Sequence, residues 1–152
     1  MASENDIRRL NAERIELLIE CSIQAYNALS ESQASQCAVD KVTAPSGFEL
    51  IDSWSGVDLL FGRDKTVESY GVVFRSISAP WQYVFAFRGT DSPLDILDDC
   101  GVEPQPFIPF ESHVKVPDRV RVESGFNDIY RSGNGAVASM QDQLFALIDK
   151  YR

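Results

Sequence analysis

The chain has 152 residues, with fourteen Lys and Arg against twenty-three Asp and Glu for a net charge of −9, and 44% of it is hydrophobic. That mixture excludes a disordered tail, a collagen-like fibre and a membrane-embedded chain. The length suits one domain, able to bury roughly 70% of the surface its unfolded form exposes. The acidic balance argues against nucleic acid, whose phosphates need clustered Lys and Arg, and against anionic membranes. No apolar run approaches the ~18 residues of a membrane span, and no basic start followed by an apolar core opens the chain as a secretory leader would. Three cysteines, Cys21, Cys37 and Cys100, are widely spaced. With no leader they read as free thiols in a cytoplasmic protein, or in one exported without a visible signal. One histidine, His113, and no C-x-x-C pair leave no zinc site, and no cofactor is implied.

In chain order, residues 6–29 read as a helix. Ile7, Leu10, Ile15, Leu18, Ile19, Ile23 and Tyr26 recur at three- and four-residue steps, a one-sided apolar stripe, with Ser3 or Asp6 as cap. Ser30–Gly47 reads as loop with a short helix around Ala34–Val39. Phe48–Asp52 reads as a short strand. Tyr70–Ser78 and Trp81–Phe87, either side of Ser78-Ala79-Pro80, read as an antiparallel hairpin. The second run is apolar almost throughout, so it is expected to be central and covered on both faces. Ser92 before Pro93 opens a short helix, Pro93–Asp99. Four prolines in 102–117 preclude a helix there, and Phe107, Ile108 and Phe110 either meet an apolar ligand or cover the sheet. Val120 and Val122 suggest a short strand. Ser124 is expected to cap the turn Gly125–Tyr130. Val137, Met140, Leu144, Leu147, Ile148 and Tyr151 mark an amphipathic helix over 136–151.

Chemistry is best placed at Arg88-Gly89-Thr90, directly after the apolar strand. A Gly-Thr at a strand end can aim a backbone N–H and an adjacent hydroxyl into a cleft, as an oxyanion hole requires. The same residues also suit an ordinary strand-to-helix turn, with glycine for its φ angle and threonine as a cap. Asp91, Asp95, Asp98 and Asp99 lack the alternating spacing of a calcium loop and read as a solvated helix face. His113 reads as a solvent-facing loop residue.

Three segments carry a resemblance. Val84–Ser92 followed by Leu94–Asp99 resembles the strand, oxyanion turn and lid of the class 3, fungal-lipase-like family of α/β-hydrolases. Val122-Glu123-Ser124-Gly125-Phe126 resembles that family's Val-His-x-Gly-Phe element, with Glu123 in place of histidine. Ser22-Ile23-Gln24-Ala25-Tyr26 lies where the family has its Ala-x-x-Tyr helix. The matches agree in order and spacing and span roughly residues 15–152. The resemblance implies an α/β fold: the N-terminal half of an α/β-hydrolase sheet, with a β-hairpin, a central strand and flanking helices, completed by a second polypeptide segment. It implies that Thr90 is the oxyanion residue and Tyr26 lines the acyl pocket. The lid would span about 91–100 and include Asp91, Ser92, Leu94, Ile96 and Leu97.

A serine hydrolase of this kind needs G-x-S-x-G and, after it, an acid and a histidine. No G-x-S-x-G occurs in the 152 residues. The expectation is therefore the N-terminal part of a lipase or esterase acting on an acyl ester or lipid. A separate C-terminal segment, parted by a chain break after Arg152, would hold Ser, Asp and His. The alternatives are a lipase-like binding module without catalysis, and an unrelated α+β domain matching the motifs by chance.

Overall fold

The computed structural model describes residues 4–28, 39–58, 66–89, 104–109, 115–117, 119–135 and 137–152. Among these are three helices, α1 (Glu4–Asn27), α2 (Ser124–Arg131) and α3 (Met140–Tyr151). Five strands accompany them: β1 (Phe48–Asp58), β2 (Thr66–Ser76), β3 (Tyr83–Phe87), β4 (Pro104–Pro106) and β5 (Arg121–Glu123). The fold mixes α and β, with one sheet ordered β1-β2-β3 and a separate β4-β5 hairpin. Both are antiparallel, which departs from the parallel sheet of an α/β-hydrolase. The reason lies in the connections: residues 77–82 and 59–65 are too short for the crossover of a dozen or more residues that parallel neighbours need.

The described residues divide into two compact units. The first holds α1, Phe48–Ser53 of β1, β2 from Ser69, and β3 through Gly89. Its hairpin is the one the sequence predicts, in the register Gly71↔Phe87, Val72↔Ala86 and Phe74↔Val84. The predicted central strand is not the buried one. Val72, Val73 and Phe74 of β2 are fully buried, whereas in β3 only Ala86 is buried and Phe87 is half exposed. Consecutive residues point to opposite faces, so their burial means that both faces of β2 are covered. Alternate residues Phe48 and Leu50, Val72 and Phe74, and Val84 and Ala86 share a core with α1.

That core selects a different face of α1 from the one expected. Cys21, Ala25 and Ala28 are fully buried against the sheet, with Leu17 packed beside them, while Ile15, Leu18, Ile19 and Ile23 face outward. Small residues allow the helix axis to come close to a sheet already filled by Val72 and Phe74. The side chains of Ile7 and Leu10 lie outside the described residues, as does most of the expected helix around Ala34–Val39, where a single 3₁₀ turn, Val39–Lys41, is seen. The turn into β1 carries Phe48 N–H to Pro45 O at 3.0 Å. Its third residue, Gly47, has φ +80°, a conformation that favours glycine.

In the second unit α3 starts at Met140, later than predicted, because the buried Ser139 caps it: its hydroxyl accepts the Asp142 N–H at 3.1 Å. Met140, Leu144 and Leu147 are buried and Ile148 is exposed. The proline-rich stretch, expected to be loop, pairs Pro104–Pro106 with Arg121–Glu123. Proline has no N–H to donate, so such a strand stays short.

Candidate functional site

The site is described up to Gly89. Thr90 and the lid residues Asp91, Ser92, Leu94, Ile96 and Leu97 lie outside the described residues, as do Pro93–Asp99 and His113. β3 delivers the chain to the turn, and Arg88 fixes where it goes. Its backbone N–H donates to Tyr70 O at 3.0 Å, and its Nε donates to Ser69 O at 2.8 Å. The guanidinium lies over the Tyr70 ring, 4.5 Å from the centroid. A buried arginine needs such partners, because a desolvated charge without them is costly. Sequence reasoning assigned Arg88 no role beyond its motif; the available signal was an arginine closing an otherwise apolar strand.

Gly89 has a different reason from the one expected. Its φ is not in the left-handed region. A Cβ there would lie 2.5 Å from the Tyr26 hydroxyl and 3.6 Å from the ring carbon that bears it. Glycine leaves room for the phenol, which a side chain at 89 would displace. Tyr26 reaches it from the last turns of α1, where Ala25 anchors the helix in the core. Gln24 adds a tie: its side-chain oxygen accepts the Thr43 N–H at 2.8 Å. The structure thus brings together Tyr26 and the glycine before Thr90, two positions predicted to serve one site. Tyr26 as a whole is 38% exposed, with its hydroxyl turned to Gly89.

Val122–Phe126, in the second unit, is a helix start. Glu123, not Ser124, is the cap: its carboxylate oxygens accept Gly125 N–H and Phe126 N–H, each at 3.0 Å. A negative side chain here satisfies two amides and sits favourably at the positive end of the helix. Phe107 and Ile108 are exposed, and Phe110 lies outside the described residues.

Among the described residues no helix is long and apolar enough to cross a membrane, and no cluster of three or more metal-ligating side chains occurs. Cys21 is a free thiol, fully buried on the inner face of α1. Burial, reinforced by the charge of Glu20, pushes its pKa from the ordinary 9.0 to about 11, which makes it a poor nucleophile. The chain matches no family model, no curated protein and no solved structure.

Proposed function

We propose that this chain is the N-terminal part of a serine carboxylic-ester hydrolase of the class 3 lipase kind. The observation that carries the reading is the approach of Tyr26 to Gly89, which joins an acyl-pocket position to an oxyanion-turn position as the resemblance requires. A completing segment supplies the parallel strands and the Ser, Asp and His. Its serine oxygen attacks the ester carbonyl carbon while histidine takes the serine proton, and the carbonyl π pair moves onto oxygen. The resulting oxyanion is held by the Thr90 N–H and hydroxyl and by the N–H after the serine. Collapse of the tetrahedral species expels the alkoxide, which takes the proton from histidine. Water then repeats the sequence on the acyl-enzyme. By the resemblance, Tyr26 is the acyl-pocket residue and residues 91–100 are the lid.

The test is a fluorophosphonate label on the protein as isolated, read by intact mass. A labelled polypeptide carrying G-x-S-x-G beside the 17.0 kDa chain supports the hydrolase. The 17.0 kDa chain alone and unlabelled supports the second reading, a binding module without catalysis. That reading is favoured by the antiparallel sheet and by the large apolar residues that α1 turns outward.

A further inference from the structure

α1 is apolar on two faces, and only one of them meets the sheet. Ile15, Leu18, Ile19 and Ile23 are 57, 47, 55 and 54% exposed. At about 100° per residue they fall within one arc of roughly 140°, beside the Leu17-Cys21-Ala25-Ala28 face and turned away from it. They run ~12 Å along the axis and expose on the order of 400 Å² of side chain, a patch size that marks interaction sites. The charges at its borders are uneven. Exposed Glu16 and Glu20 flank Ile19 and Ile23, and Arg14 stands by Leu18.

Area and charge together select the occupant. The stripe gives about half of the ~800 Å² each partner contributes to a standard interface, which suits one helix laid along another better than a second folded domain. A second copy is disfavoured, since each carries −9 and an antiparallel pair of stripes sets Glu16 and Glu20 beside their own counterparts. Anionic membranes are disfavoured by the same charge. We infer that this face of α1 docks an amphipathic helix of another protein, one whose Leu- or Ile-rich ridge is bordered by Lys or Arg that meet Glu16 and Glu20. The inference stands independently of the hydrolase reading.

The probe is a fluorescent helical peptide of ~18 residues with leucines on one face and lysines along one border, set against a twin with glutamates for lysines. Anisotropy titration of the full chain is expected to show saturable binding of the lysine peptide, roughly tenfold or more tighter than of the twin. Ile19→Ser with Ile23→Ser, and separately Glu16→Lys with Glu20→Lys, are each expected to weaken it by roughly tenfold or more. Circular dichroism and the urea midpoint should stay at parental values, because these side chains face away from the core. No binding, equal binding of the two peptides, or parental affinity in folded variants overturns the inference. So does self-association, or binding to phosphatidylcholine vesicles, that the isoleucine substitutions abolish.

Discussion

The hydroxyl of Tyr26 fills the space that a side chain on Gly89 would need. Helix α1 and the end of β3 therefore constrain each other at one atom. Gly→Ala at a compatible position normally stabilises by about 0.4–1 kcal/mol through the unfolded chain. Here Gly89→Ala is expected to forfeit that gain, because the phenol, the movable end of a partly exposed side chain, must swing away. With Tyr26→Phe the atom at 2.5 Å is gone and the 3.6 Å ring contact is ordinary, so the same substitution recovers the gain. Urea unfolding of the four proteins checks it; additive effects would show that the two residues do not compete for space.

Thr90→Val removes the hydroxyl and retains the shape. In a preparation with measurable ester hydrolysis, kcat is expected to fall about 10²–10³-fold with KM little changed, the usual loss for one oxyanion donor. Unchanged turnover would remove Thr90 from the proposed mechanism.

Cys21 gives a pH dependence of defined sign. Its folded pKa is raised, from 9.0 to about 11, so the folded state holds the proton after the unfolded state has lost it. The contribution is complete below pH ~9 and is lost as pH rises to ~11, a fall of about 2–3 kcal/mol. Urea midpoints from pH 8 to 11 for the parent and Cys21→Ala measure it, because other titrating groups cancel in the difference. Parallel curves would contradict it.

Glu123→Ala leaves Gly125 N–H and Phe126 N–H without their acceptor. The expected cost is about 1 kcal/mol, as for other lost N-caps, read as a lower thermal midpoint. Part of it should vanish in high salt, because charge–dipole attraction is screened.

Gln143 acts as a piece of strand for β1. Its amide donates to Ser55 O at 2.7 Å and accepts Ser55 N–H at 3.1 Å, and it also donates to Ala138 O at 2.8 Å. Gln143→Glu keeps one acceptor and turns two donated bonds into oxygen–oxygen contacts. A loss of about 1–3 kcal/mol is expected, with faster amide exchange at Ser55. Exchange at the parental rate would mean that Gln143 does not protect β1.

What the sequence revealed depended on whether the information was local. The hairpin of β2 and β3 and the stripe of α3 are local patterns, and both were legible. The inner face of α1 was not, because a large-residue stripe gives the stronger periodic signal while the sheet accepted the small residues Cys21, Ala25 and Ala28. Nor was the central place of β2, which depends on neighbours distant in sequence. At the site, Tyr26 was predicted to serve the same function as the Gly89–Thr90 turn, yet the ground for Gly89 was misread: steric occupation by a residue 63 positions away leaves no trace in a local window.

The small residues beneath α1 have one more effect. Ala25 is the spacer between the helix and the sheet, and it directly precedes the tyrosine. A methylene or two added there would lift that end of the rod and withdraw the phenol from the strand end, with no change to either contacting residue. The reach of an aromatic group over the end of a strand is thus adjustable from within the hydrophobic interior, by the thickness of a shim.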